Sequence, residues 1–252
     1  SIFTCFSKNM KPIGFEDINS LQRVRQIFHD CYLVTSLNAL SRSKNGRKIL
    51  QNNIAKDCDN YRVRFQNIND KVEDFFVNEK EIEDLTLVDK FLNPIELDFP
   101  KNPIISAVEI AMNKMLTKYP DKKPLSSRLF ECSEKFEYNR PSNFLEWFTG
   151  KKPISINEAS LRMSLRSKKK EAVELLEQIG ETEDNNSFVI GSGHNFIKGI
   201  TNWHCYTIEK IDLKNRTVTI FDNKYRDEIV MPFNDLIKKF KYITGFFDGS
   251  LK

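Results

Sequence analysis

A cysteine that opens a helical run, a histidine at the start of a strand and a carboxylate at the end of the next strand are the parts of a thiol nucleophile, its base and the group that orients the base. In this chain they are Cys31 in "HDCYLVTSLNALS", His204 in "WHCYTIEKI" and Asp222 in "RTVTIFDN". A thiol at a helix N-terminus feels the partial positive charge of the macrodipole, and a nearby imidazolium lowers its pKa further, so the reactive thiolate becomes populated near neutral pH. There are only three histidines, His29, His194 and His204, so the search for a base is short. A hairpin centred on Leu213 pairs position 204 with 222, 206 with 220 and 208 with 218, and gathers Tyr206, Ile208, Val218 and Ile220 on one face. Directly opposed residues hold their Cβ atoms about 4.5–5.5 Å apart, which sets the imidazole beside the carboxylate. A shift of one residue offers Asn223 instead. The structural alternative is a small buried cysteine and a satisfied core histidine.

These groups lie far apart in the chain, so the surrounding elements must bring them together. Leu33, Val34, Leu37 and Leu40 recur at helical spacing after Asp30, which suits an N-cap, and Gly46 follows at a plausible break. A second short helix is expected over 48–54. "YRVRF" alternates strictly and pairs across "NIND" with "KVEDFFV" as a hairpin. Pro103 opens a helix with Ile105, Val108, Ala111, Met112 and Met115 down one face, closed by Pro120. Further helices are expected at 142–149 and 156–179, the second broken near Ser167. Strands follow at 187–192, 204–211, 216–222 and 242–247. Helices first and sheet second is the pattern of an α+β arrangement, read as one domain with a helical part over about 15–180 and a β part over about 185–250.

At 252 residues with 40% hydrophobic content the chain can bury a substantial core. Thirty-nine Lys and Arg oppose 35 Asp and Glu, a net charge of +4 too thinly spread to imply a nucleic-acid partner. The basic run "RSKKK" reads as a solvated helix face. There is no apolar run of about 18 residues and no basic-then-apolar leader, so neither a membrane span nor a signal peptide is expected. Five scattered cysteines, Cys5, Cys31, Cys58, Cys132 and Cys205, make no disulfide framework and favour a reducing compartment. No motif asks for a cofactor. A metal site from His29, Cys31, His204 and Cys205 is disfavoured by spacing, and because Cys205 should point away from His204 on a strand.

In order along the chain, "HDCYLVTSLNALS", "YRVRFQNINDKVEDFFVNEKEIE", "PIISAVEIAMNKMLTKYP", "SNFLEWFTGKKP" and "WHCYTIEKIDLKNRTVTIFDN" resemble the calpain-type branch of the papain-like cysteine peptidases. The resemblance implies a two-lobe fold, with the catalytic Cys helix in an N-terminal helical lobe and the His strand in a C-terminal antiparallel β lobe. It also implies hydrolysis of peptide or isopeptide bonds in a protein substrate. In that scheme Cys31 is the nucleophile, His204 the base and Asp222, in place of the family's Asn, the orienter. Trp203 resembles the family's aromatic screen. The family's oxyanion Gln stands six residues before the Cys, where this chain has Arg25; Gln26 and Gln22 are the nearby candidates, with Gln26 the choice. The family's Gly before Asp-Cys is His29 here, and the Gly-Gly ahead of the "TG" segment is missing. By analogy, a compact core without calcium loops resembles a bacterial effector secreted to act on host proteins. Other readings are a papain-fold transamidase, deamidase, acyltransferase or deubiquitinase, and an inactive binding module.

Overall fold

The computed structural model describes residues 10–22, 24, 26, 30–58, 60–92, 102–122, 139–158, 164–182, 186–193 and 199–252, with the backbone alone for 86–92. Arg25, His29, His194, Cys5 and Cys132 lie outside the described residues. The fold is α+β with two antiparallel sheets. The first sheet has the order β1 (Lys11–Pro12), β2 (Ile54–Asp57), β3 (Asn60–Ile68), β4 (Lys71–Val77). The second runs β5 (Ile154–Ile156), β10 (Phe240–Phe247), β6 (Asn186–Ser192), β7 (Cys205–Asp212), β8 (Thr217–Asp222), β9 (Asp227–Pro232). The helices are α1 (Phe15–Ser20), α2 (Cys31–Arg42), α3 (Lys44–Asn53), α4 (Glu79–Leu92), α5 (Pro103–Lys118), α6 (Pro141–Thr149), α7 (Lys169–Glu181) and α8 (Phe233–Lys239). Among the described residues no helix is long and apolar enough to cross a membrane.

The expected hairpin forms as β3 and β4. Tyr61, Val63 and Phe65 are buried, and Asn69 and Asp70 take φ of 51° and 61°, the left-handed pair that a two-residue turn needs. The buried residues of α5 include Ile105, Val108, Ala111, Met112 and Met115. The stretch expected as a helix over 156–179 instead begins with strand β5 and a 3-10 turn at Leu165–Lys168, and becomes α-helical only from Lys169. Both β5 and α7 pack with the six-stranded sheet rather than with the helical half, and the N-terminal half carries a four-stranded sheet of its own.

Helix α2 is the centre of the molecule. Tyr32 through Ser41 are all buried, so it is enclosed on every side rather than amphipathic. Its buried serines are satisfied locally: Ser36 Oγ donates to the Tyr32 carbonyl and Ser41 Oγ to the Asn38 carbonyl, each at 2.6 Å. One face lies on β6 and β7. The other meets α6, where Tyr32 packs edge-on against Phe144, with ring centroids 6.3 Å apart. Phe144 stacks on Phe148 at 5.3 Å, and both pack edge-on to Phe65 of β3. Such aromatic pairs are each worth about 0.5–1.5 kcal/mol beyond area burial, and they fix the first turn of α2, where Cys31 sits.

Gly46 is not the break after α2. That helix ends at Arg42, Ser43 caps α3 by accepting from the Gly46 N–H at 3.0 Å, and Gly46 lies in the first turn of α3. A Cβ at Gly46 would stand 2.2 Å from the Leu40 carbonyl oxygen and 2.7 Å from Ser43 Oγ. The backbone of a buried helix cannot move aside cheaply, so Gly46→Ala is expected to destabilise the fold by about 1–3 kcal/mol, although alanine is the better helix former. Urea melts at equal m-value would show the lowered midpoint. A midpoint equal to or above the parent's would mean that the two helices do not approach this closely.

Candidate active site

Three sets of contacts place the functional side chains. The Asp30 carbonyl accepts from the Leu33 and Val34 amides at 2.8 and 3.2 Å and so opens α2; its buried carboxylate, expected as the cap, makes no capping bond. Thr207 Oγ1 donates to the Thr35 carbonyl at 3.3 Å, and Arg42 pairs with Glu209, so α2 and β7 run side by side in the same direction. One helical turn back from Thr35 and two strand residues back from Thr207 are nearly equal steps, about 6 and 6.6 Å. They set Cys31 over Cys205, at the mouth of β7.

His204 precedes β7 by one residue. Its N–H donates to Ser192 Oγ at 3.0 Å, and its carbonyl accepts from the Ser192 N–H at 2.8 Å. The ring rests edge-on against Tyr206, with centroids 4.9 Å apart. Ring Nε2 lies 2.9 Å from Asp222 Oδ1, and both side chains are 4% exposed. With Nε2 on the carboxylate, Nδ1 is the nitrogen left for Cys31, whose thiol interacts with the ring. Asp222 Oδ1 also accepts from the Lys224 and Tyr225 amides at 2.8 and 3.3 Å, which fixes its orientation.

The pair meets, but not through the expected register. The hairpin pairs Thr207 with Phe221 and Ile208 with Ile220, and a bulge between Ile208 and Lys210 then moves Ile211 opposite Val218. His204 is therefore a diagonal neighbour of Asp222, a separation that an imidazole spans. Asn223, the alternative orienter, has another task. Its Nδ2 donates to the Val24 carbonyl at 2.6 Å, and its own carbonyl accepts from the Gln26 N–H at 2.9 Å. This ties Gln26 beside the site. Gln22 is directed elsewhere: its Nε2 donates to the Ser41 carbonyl at 3.3 Å, ten residues and about 15 Å along α2 from Cys31. Trp203 is 58% exposed, with φ of 52° and the Lys241 ammonium 4.5 Å from its ring, so it is not a core residue.

Cys205 was expected to point away from His204. His204 continues the strand register against Ser192 with its ring on the Tyr206 side, whereas Cys205 packs with the α2 core, and the Cys205 thiol reaches Cys31 from that side. Its sulfur is 3.1 Å from Tyr242 Oη. Glu158 lies close enough to act on both Cys205 and Tyr242, and is itself held by the Ser142 N–H at 3.0 Å and Ser155 Oγ at 3.1 Å. The hint in the sequence for Cys205 was its place directly after the histidine; Tyr242 and Glu158 left none.

The electrostatics separate the two thiols. The hydrogen bond with Cys205 draws the Cys31 thiol well below its ordinary range against the effect of burial, and His204 adds to the shift. Burial would lower the His204 imidazole, but the bonds to Asp222 and Cys31 outweigh it and push it up to about 9. Cys205 is pushed up by Cys31 and by burial, and Glu158 by burial. Among the described residues no group of three or more His, Cys, Asp or Glu could hold a metal ion. Cys31, Cys58 and Cys205 are thiols. No protein-family model matches the chain, and no curated protein matches it.

These shifts define a pH window. His204 is raised when folded, so its stabilising contribution is full below its ordinary pKa of 6.5 and is lost as pH rises through about 9. Cys31 is lowered when folded, so its contribution is present above the ordinary thiol range and is lost as pH falls through its depressed value. The alkylation rate of Cys31 by iodoacetamide is therefore expected to hold a plateau on the acid side of the pH at which Cys58 gains reactivity. Superimposed profiles for the two thiols would contradict the ion pair.

Proposed function

We propose that the chain is a thiol acyl hydrolase, a cysteine peptidase acting on peptide or isopeptide bonds of a protein, with the papain-like division between a Cys helix and a His sheet. The observation that carries this reading is the ordered contact of Cys31 at the N-terminus of a buried helix, His204 beside it and Asp222 behind His204. The Cys31 thiolate attacks the carbonyl carbon. His204, as imidazolium, passes its proton to the leaving amine, and the neutral ring then takes a proton from the water that hydrolyses the thioester. Asp222 holds the ring throughout. The Cys31 N–H, free of an intrahelical partner at the first helical position, and the Gln26 side chain are the proposed donors to the oxyanion.

A peptidyl epoxide tests this reading on the intact chain. Opening of the epoxide by sulfur should leave one adduct, mapped by mass to Cys31, while an amide-matched peptide without the epoxide leaves none. Labelling elsewhere, or none, would overturn the proposal and favour a binding module.

A further inference from the structure

Three strands of the larger sheet align one residue each in a row beneath Cys31. Tyr242 of β10 pairs with Gly191 of β6, and Gly191 pairs with Cys205 of β7. All three therefore lie on the face that carries α2. The outer strands of such a row are about 10 Å apart, too far for neighbouring side chains to meet over an ordinary residue. Gly191 removes that obstacle: a Cβ there would stand 2.0 Å from Tyr242 Cζ and 2.3 Å from its hydroxyl. The tyrosine ring lies flat across the glycine and brings its hydroxyl to 3.1 Å from the Cys205 sulfur. A glycine in a central strand weakens it, and here the vacated space is filled by a ring that ends on a thiol.

We infer that Cys205 is a positioning residue for the nucleophile: its S–H donates to the Cys31 sulfur, and the Tyr242 O–H donates to the Cys205 sulfur and so directs that proton toward Cys31. The inference rests on the thiolate reading of Cys31. The directions agree with the charges. Cys31 is the thiol that ionises, Cys205 is held protonated by Cys31 and by burial, and burial holds Tyr242 protonated. Among the described residues the other ionisable groups that act on this row are His204, with Asp222 of β8 behind it, and Glu158 after β5. The thiolate then accepts from a ring on one side and a thiol on the other, and when it becomes a thioester the Cys205 proton is left without its anionic acceptor. That favours the return of the free thiolate.

The test is the pH profile of iodoacetamide alkylation mapped to Cys31 in the full chain, for the parent and for Cys205→Ala, Cys205→Ser and Tyr242→Phe, each checked for folding by circular dichroism. A hydrogen bond to a charged group is worth enough to move a pKa by about one unit. Cys205→Ala is thus expected to shift the acid limb up by about one pH unit, roughly a tenfold loss of rate on the slope. Cys205→Ser, which keeps a donor, should shift it less, and Tyr242→Phe should shift it in the same direction as Ala but less far. A Cys205→Ala profile that superimposes on the parent's overturns the inference, as does a serine variant that shifts as far as alanine. If the alanine variant does not fold, a Tyr242→Phe profile identical to the parent's overturns it. A parent whose Cys31 reacts no faster than Cys58 at neutral pH overturns the thiolate reading itself, and that outcome is visible before any variant is compared.

Discussion

Cys31→Ala should abolish acylation by an activated ester, and His204→Ala should slow acylation of Cys31 near pH 7 by about 10²–10⁴. The two losses have different origins. The first removes the atom that forms the bond. The second leaves the atom but takes away the cation that stabilises its anion and the acid that protonates the leaving group, so a residual rate driven by the helix terminus and by Cys205 should persist and rise with pH. Burst amplitude measured against active-site concentration separates them, being zero for the first variant and slow but complete for the second. His204→Ala acylating at the parental rate would show that the imidazole takes no part.

Asp222→Ala carries the second large effect. His204 is buried, and the carboxylate offsets the cost of keeping its ring charged. Without it the ring can release its proton and avoid an unpaired buried cation, so the energetic loss is at most that of its pKa falling from about 9 to its ordinary 6.5, a fall that Cys31 opposes in part. That is about 3 kcal/mol, to which the Lys224 and Tyr225 amides that lose their acceptor add. The neutral ring can then no longer act as a resting acid, and turnover should fall by about 10²–10⁴. Asp222→Asn keeps an oxygen for Nε2 and for both amides but removes the charge. It is expected to retain turnover while the basic limb of the pH–rate profile moves to lower pH. An alanine variant as active as the asparagine variant would mean that orientation of the ring does not limit the rate.

The meeting of His204 and Asp222 was legible in the sequence although the pairing was not. The register centred on Leu213 and the one observed differ by two residues near the site, and a two-residue slip leaves every side chain on the same face. Burial of Tyr206, Ile208, Val218 and Ile220 is thus satisfied by both and could reject only a one-residue slip. The turn was misplaced because the Asp212 carboxylate binds the Asn215 amides and draws the loop toward 213–216. The bulge after Ile208 leaves no trace in the residue types. Strand β9 and helix α8 went unread, and so did the row of Tyr242, Gly191 and Cys205, since it depends on β10 lying beside β6, a pairing of distant segments that local periodicity does not encode. Cys31 was legible because a cysteine directly after Asp30 and before an apolar helix is a local pattern. Gln26 was chosen for its distance from Cys31 along the chain; that Asn223 reaches back across the fold to hold its backbone beside the site is a contact between distant segments that residue types do not encode.

Nitrogen-15 NMR of labelled histidine rings measures the charge on His204 directly, and His204→Gln assigns its signal among the three histidines. In the parent the His204 ring should remain an imidazolium through pH 8, and alkylation of Cys31 should lower its titration midpoint. A His204 signal that titrates near 6.5 and ignores alkylation of Cys31 would contradict the thiolate–imidazolium pair.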